Sequence, residues 1–472
     1  MNLVFIFADQ WRAGAMGYAH EDPVVTPYMD AFCRESAYCD HAFSTFPVCS
    51  PHRASLMTGK YPLSAGFFTN CKKGLPLRLK DEEIGIGDVL KAAGYDTAYI
   101  GKWHLDEPEQ NHCDSPASGA RDWDAYTPPG VRRHGFDYWY SYGTYDMHLS
   151  PHYWHDDDRM ISVNQWGPEF ETDKAIEFLS SVRNKEKPFA LYLSWNPPHS
   201  VYSEVPEKYL ARYEGEITLK ENVIPGQIRH HTGEQTGLDE ESIKTVTRQY
   251  FAAISGLDEQ FGRLISYLKE TGLYEDTLVI LSADHGDMMG SHGLMGKHVW
   301  YEESIRIPFV VHKPGNGKRI CHTCIGSQDM MPTILGLLGI DIPDTVEGED
   351  CSRFIMQEAE DPGRVSFLCA CPGRLDVVAK FKECGKDPRH AGWRGVRTQT
   401  HTYVMELGYD PVARPARYLY SLSCDKQQRS TLDMTVPEHR QTAIRLEETV
   451  KTWLRDQKDG FWERWLSEAE PL

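Results

Sequence analysis

The sequence contains no stretch near the roughly 20 consecutive apolar residues that a membrane-spanning helix requires, so no membrane is expected as a partner. Its start lacks a basic segment followed by an apolar run and a small-residue cleavage site. Instead Met1 leads directly into Leu3-Val4-Phe5-Ile6-Phe7. The cytoplasm is therefore the expected location, unless a leader has been removed. Positive charge is in short supply: 50 Lys and Arg stand against 69 Asp and Glu, a formal net charge of -19. A polyanion would be repelled, which argues against nucleic acid, yet a local basic pocket can still serve an anionic substrate. There is no internal repeat and no low-complexity segment. The 12 cysteines show no short repeated framework, and Cys321-x-x-Cys324 has no second pair at zinc-finger distance. Reduced thiols are favoured over a disulfide scaffold.

What is present is an ordinary globular composition, 40% hydrophobic and 25% charged over 472 residues. That length predicts one large domain with a smaller one, divided as 1–360 and 361–472. Strand and helix patterns alternate over most of the chain, which implies an α/β layer architecture. Strands are expected at Leu3 to Phe7, Thr97 to Ile100, Phe189 to Ser194 and Thr277 to Ser282. Between them, Gly87 to Ala93 and the stripe Ala175, Ile176, Phe178, Leu179, Val182 read as helices. The longest helix pattern runs through Tyr250, Phe251, Ile254, Leu257, Phe261, Leu264, Ile265 and Leu268, at spacings of three and four. Residues from about Asp106 to Asn164, rich in Tyr, His, Asp, Gly and Pro, read as a long surface excursion of the kind that is uncommon unless functional. Short strands at Val365 to Cys369, Gly395 to Thr398, Thr402 to Glu406 and Tyr418 to Leu422, with a helix at Val436 to Lys458, predict a smaller α+β unit. No residue pattern defines an interface, and the oligomeric state stays open.

Chemically competent residues gather just after the predicted strands: Asp9-Gln10, Lys102 and His104, His199, and Asp284-His285. In open α/β sheets ligands bind beyond the carboxyl ends of strands, so four such ends plausibly converge on one crevice. Any one of these positions, taken alone, reads as a helix cap or a solvated charge. Together, two carboxylates, one amide oxygen and one imidazole suit a fairly hard divalent ion such as calcium, magnesium or manganese.

The stretch Cys49-Ser50-Pro51-His52-Arg53, continuing to Thr58-Gly59, resembles the signature of the type I sulfatases. The resemblance extends in order and spacing to Ala8-Asp9-Gln10, Gly101-Lys102-Trp103-His104-Leu105, Pro197-Pro198-His199, Ala283-Asp284-His285-Gly286, Gly296-Lys297 and Tyr301 to Pro308. It covers about the first two thirds of the chain, with a looser match at Trp393 to Arg397 and Leu419-Tyr420. A lone Cys-x-Pro-x-Arg would be weak, since a free buried cysteine is the ordinary case.

The resemblance implies an alkaline-phosphatase-like fold: a large mixed sheet flanked by helices, plus a C-terminal α+β subdomain with a short antiparallel sheet that completes the substrate pocket. It further implies that a separate maturation enzyme oxidises Cys49 to formylglycine. The hydrated aldehyde would attack sulfur, and collapse of the resulting hemiacetal would expel sulfate. Asp9, Gln10, Asp284 and His285, with the modified Cys49, would hold one divalent ion, most simply Ca2+, with Mg2+ or Mn2+ as alternatives. Arg53 would hold the formylglycine hydroxyls, and Lys102 and Lys297 would clamp the substrate oxygens. His104 would be the base for collapse, and His199 would donate to the leaving oxygen or bind the sulfate. Without the resemblance, both lysines read as ordinary surface residues.

Gln10 and His285 stand where many sulfatases carry aspartate and asparagine, and His52 stands where serine is usual. The Asp-Gln and Asp-His pairs also resemble the related phosphonate monoester hydrolases, which act on phosphonate monoesters and phosphodiesters; Lys102 and His104 favour the sulfatase. The expected substrate is a small sulfated carbohydrate of glycosaminoglycan or mucin type. His148 and His152 are expected at the rim of its pocket. His155 and Asp156 to Asp158 complete a group that reads as a sugar-binding loop more readily than as a second metal site. His390, Trp393 and Arg394 are candidates to reach the substrate from the small subdomain, against the alternative that Trp393 packs on the large sheet.

Overall fold

A computed structural model of the chain describes residues 1–470 and 472. The apolar run at the start forms the strand Asn2–Asp9, buried at every position. It has the parallel strands Phe189–Pro198 and Thr277–Ala283 on either side. Burial on both faces is what an unbroken apolar run requires, because an alternating pattern would set polar groups inside. The sheet has eight strands, in the order Arg319–Cys321, Ala37–Cys39, Phe309–His312, Thr277–Ala283, Asn2–Asp9, Phe189–Pro198, Asp96–Lys102 and Tyr138–Tyr142. Phe309–His312 runs antiparallel to both neighbours, and the other pairings in this sheet are parallel.

Helices flank the sheet. Gly167–Glu177 and the 31-residue helix Glu240–Glu270 pack on Phe189–Pro198. The longer helix starts where Asp239 accepts the Ser242 N–H at 2.9 Å, a side-chain cap that satisfies one otherwise unpaired donor. No helix among the described residues is long and apolar enough to cross a membrane.

The smaller sheet is antiparallel, in the order Ser366–Ala370, Gly392–Arg397, His401–Gly408, Ala416–Ser421, and Pro437–Asp456 packs on it. Its core is continuous with Phe43, Phe46, Trp300 and Ile305 of the larger part.

One expectation changes. The segment from Asp106 to Asn164 is not wholly a surface excursion: within it, Tyr138–Tyr142 is the edge strand of the large sheet, paired in parallel with Asp96–Lys102. Its sequence, Tyr-Trp-Tyr-Ser-Tyr, buries aromatic rings instead of aliphatic ones. Tyr99 stacks on Trp139 with ring centroids 5.3 Å apart, so the aliphatic periodicity that marks the other strands is missing.

Candidate active site

The carboxyl ends of Asn2–Asp9, Asp96–Lys102, Phe189–Pro198 and Thr277–Ala283 lie together, because these strands are adjacent and, where paired, parallel. The helix Cys49–Thr58 begins at the same place, with every residue buried. It ends where Gly59, at φ 67°, turns left-handed and donates its N–H to the Ser55 carbonyl at 2.8 Å. That start puts Cys49 at the helix N-terminus, where unpaired N–H groups favour negative charge.

Asp9, Cys49, Asp284 and His285 bring one donor atom each within 4.8 Å of one another, all fully buried. Cys49 Sγ lies 3.3 Å from His285 Nε2, 3.6 Å from Asp9 Oδ1 and 3.5 Å from Lys297 Nζ. Behind them Arg53 bridges both carboxylates, with Nε 3.1 Å from Asp284 Oδ2 and Nη2 3.2 Å from Asp9 Oδ2. Its Nη1 donates to the Lys102 carbonyl at 2.7 Å and to Ser194 Oγ at 2.8 Å. Lys102 Nζ reaches Asp9 Oδ2 at 2.7 Å and Asn196 Oδ1 at 3.0 Å. The strands must approach closely to hold it there: a Cβ on Gly101, at φ 101°, would lie 2.0 Å from the Ser194 carbonyl.

Charge balance accounts for the protonation states. Burial opposes ionisation of Asp9, but Lys102, His199 and Lys297 outweigh it and hold the carboxyl well below its ordinary range. Burial, then the charge of Asp9, pushes Asp284 up. Burial also opposes the Cys49 thiolate, yet Lys297, Lys102 and His285 pull the thiol well below its ordinary value. Two buried carboxylates and an imidazole facing one another at this separation fit a hard divalent cation, which offsets the repulsion that raises Asp284.

The two flanking histidines are tuned in opposite directions. His104, in a left-handed conformation at φ 54°, gives Nε2–H to the Cys71 carbonyl at 3.0 Å. That leaves Nδ1 as the acceptor, buried with no other partner and turned to the Cys49 side chain. Burial keeps this imidazole neutral. His199 faces burial and two lysines, but Asp146 and Asp9 prevail and raise it to about 9; Asp146 Oδ1 lies 3.3 Å from His199 Nδ1.

Gln10 is the member of the expected metal set whose side chain is engaged elsewhere. Its Oε1 accepts from Lys297 Nζ at 2.5 Å, and its Nε2 donates to Tyr202 Oη at 3.0 Å and to Asp287. The expected rim residues are placed differently from the sequence reading. His148 is buried behind His199, with Nε2 3.0 Å from its carbonyl oxygen. His152 is buried against Asp124 at 2.6 Å, and His155 bonds the Trp139 carbonyl at 2.6 Å and lies 3.4 Å from Asp156; among the described residues no three of the loop's acidic and imidazole groups converge. Arg394 is fully buried and paired with Asp459 at 2.6 Å. His390 lines a separate cavity of about 300 Å³. Trp393 is also fully buried, and its Nε1–H donates to the His298 carbonyl at 2.9 Å, supporting the pocket wall from behind. A run of polar and aromatic residues looks the same in sequence whether it faces solvent or a buried partner.

Sequence reasoning missed Asn70, Asp146, Asn196 and Lys72. Asn70 Oδ1 accepts the Ser50 N–H at 2.9 Å, and its Nδ2 lies 3.9 Å from Cys49 Sγ. Asn196 was the most accessible of these, two residues beyond Ser194 in the same strand. The others sit in loops without periodicity. A cavity of about 610 Å³ opens over the cluster, lined by Asn70, Lys72, Trp123, His199, Lys297 and His298 among others.

The sulfatase family model matches residues 1–340. An endo-4-O-sulfatase of Bacteroides thetaiotaomicron is 33% identical, covering 100% of this chain and 95% of its own. An ulvan-active sulfatase of Formosa agariphila is 34% identical over 88% of this chain and 75% of its own. A solved structure from the glycosaminoglycan metabolism of Bacteroides thetaiotaomicron superposes with a TM-score of 0.86 at 32% identity, covering 100% of this chain and 99% of that one.

Proposed function

Because this chain belongs to the sulfatase family, whose members hydrolyse sulfate esters, we propose that it removes sulfate from a sulfated saccharide through a formylglycine made from Cys49. The observation that carries this reading is the cluster itself: Cys49 at a helix start among Lys102, Lys297 and two oppositely tuned histidines. The saccharide is supported by the relatives, which are named for 4-O-sulfate and ulvan. The phosphonate monoester hydrolase reading is the alternative.

In this mechanism Lys297 and Lys102 hold the sulfate oxygens as charge develops on them. His199, protonated at neutral pH, donates its proton to the leaving sugar oxygen. His104, neutral with Nδ1 free, takes the proton whose loss releases sulfate from the enzyme. Arg53 keeps Asp9 and Asp284 aligned. Formylglycine supplies a hydroxyl nucleophile and a second hydroxyl for release. Asp9, Asp284 and His285, with the Gln10 amide oxygen after a rotation away from Lys297, would hold a divalent cation, which supplies Lewis-acid polarisation. The carboxylate and amide oxygens are donors of the kind calcium takes, with magnesium or manganese as alternatives.

The reading is tested by hydrolysis of a matched aryl sulfate and aryl phosphonate monoester. The protein is co-expressed with a formylglycine-generating enzyme, and conversion of Cys49 is checked by peptide mass. The expected preference for the sulfate is at least about tenfold in kcat/KM. Preference for the phosphonate would overturn the sulfatase in favour of the phosphonate hydrolase.

The raised value of His199 adds a pH prediction. The acid form is the active one, so kcat/KM should hold below about 9 and fall above it. In Asp146→Asn the alkaline limb should move to lower pH, because the carboxylate that raises His199 is gone. An unmoved limb in that variant would remove His199 from the proton-donor role.

A further inference from the structure

Between the buried cluster and solvent, the cavity holds Lys72, which makes no ion pair among the described residues. Lys72 Nζ sits 5.2 Å from the centroid of the Trp123 ring. Burial opposes its charge and lowers it to about 8, with Cys49 and Cys71 working the other way. A half-buried cation without an ion-pair partner is costly unless an anion joins it.

Lys72 is also well placed. Residues just before it are strapped to the start of the Cys49 helix: Ser50 N–H donates to Asn70 Oδ1 at 2.9 Å, and Cys71 N–H donates to Ser50 Oγ at 3.0 Å. The Cys71 carbonyl in turn accepts from His104 at 3.0 Å. Lys297, 3.5 Å from Cys49 Sγ, serves the sulfate that reacts, so Lys72 is left for another group. Trp123 keeps 42% of its surface exposed at the cavity. His231 and His298 stack at 4.0 Å in the same wall. Both are neutral: burial lowers them first, then His230 and Arg374 act on His231, bringing it to about 3, and His231 and Lys297 act on His298. Of the cations lining the cavity, Lys297 is at Cys49 and Arg374 is paired with Glu234 at 3.6 Å, which leaves Lys72 beside flat rings, the combination that receives an anionic sugar with its apolar face on an aromatic.

We propose that Lys72, flanked by Trp123 and the His231–His298 stack, binds a second anionic group of the substrate, a carboxylate or second sulfate on or beside the sugar that loses its sulfate. The preferred substrate is then a polyanionic saccharide. This rests on the sulfated-saccharide reading above.

The test uses the full chain as Cys49→Ala, which binds without turnover, and calorimetric titration with paired sulfated disaccharides. One member of each pair carries a neighbouring carboxylate or second sulfate, and the other carries a hydroxyl there. The acidic members should bind about 10- to 100-fold more tightly, the range for a charged hydrogen bond. That advantage should vanish in Cys49→Ala/Lys72→Met and persist in Cys49→Ala/Lys72→Arg. Whether the carboxylate or sulfate pair shows the larger ratio identifies the anion. Ligand-free Lys72→Met should also melt higher than its parent, since an unpaired cation is removed.

An advantage that survives Lys72→Met, or no advantage at all, overturns the subsite. No binding by any member, with aryl sulfate still hydrolysed by the converted protein, overturns the subsite and leaves the sulfatase standing. Tight, Lys72-dependent binding of acidic members without sulfate release from any ester keeps the subsite and overturns the hydrolase reading.

Discussion

Cys49→Ala is expected to lower sulfate-ester turnover by about 10,000-fold or more, as removal of a nucleophile does in other covalent hydrolases. The side chain is fully buried, and its Sγ touches His285, Asp9 and Lys297. The chemistry cannot pass to a neighbour, because no other hydroxyl or thiol shares that set of contacts among the described residues. Loss of one sulfur atom from the start of a packed helix should cost on the order of 1 kcal/mol of stability. Turnover and thermal melting measured on one preparation separate the two effects. Full activity in the variant would end the formylglycine mechanism, whatever the fold does. Cys49→Ser makes a sharper control, since it restores a hydroxyl without the aldehyde and should remain nearly as inactive.

Arg53→Met should be the most destabilising single change in the site, by about 3–5 kcal/mol in metal-free protein, the cost of removing one partner from a buried ion pair. The guanidinium is wholly inaccessible, and it faces two carboxylates, a hydroxyl and a main-chain carbonyl at once. Burial works against its charge, yet Asp284 and Asp9 hold it fully ionised. Without it, Asp9 and Asp284 repel each other, and Lys102 stays as the lysine in direct contact with Asp9. Denaturant midpoints would report the loss, and added divalent metal should recover part of it by replacing the missing positive charge. Arg53→Lys should fall between, because an ammonium keeps the charge but not the planar fork that reaches both acids. A variant as stable as the parent would mean that the pairing contributes nothing net.

Much of this site was legible because its residues stand at strand ends. Asp9, Lys102, His199 and Asp284 each follow an apolar run, and parallel strands place such positions at one edge whatever the loops do. The Cys49 segment was legible for another reason: its spacing to Pro51, Arg53 and Gly59 is local and survives without knowledge of contacts. Asp146 and Lys72 were not legible, since loop residues acquire a role only from what packs against them. His148, His152 and Arg394 misled in the opposite sense. Each has the chemistry of a sugar ligand, and each spends it on a buried partner.

The sequence by itself determined the alternation of buried strands and helices, the order of the strand-end residues and the family. These follow from short-range periodicity and motif spacing, which one dimension preserves. Tertiary structure alone supplied the reason why His104 and His199 differ in proton affinity. Their proton affinities differ because Asp146 faces His199, while a main-chain carbonyl holds His104 in a dry wall. It also decided that Lys72 stands in the cavity without an ion pair among the described residues, because the strength of a charge depends on the neighbours and the water that three-dimensional packing leaves to it.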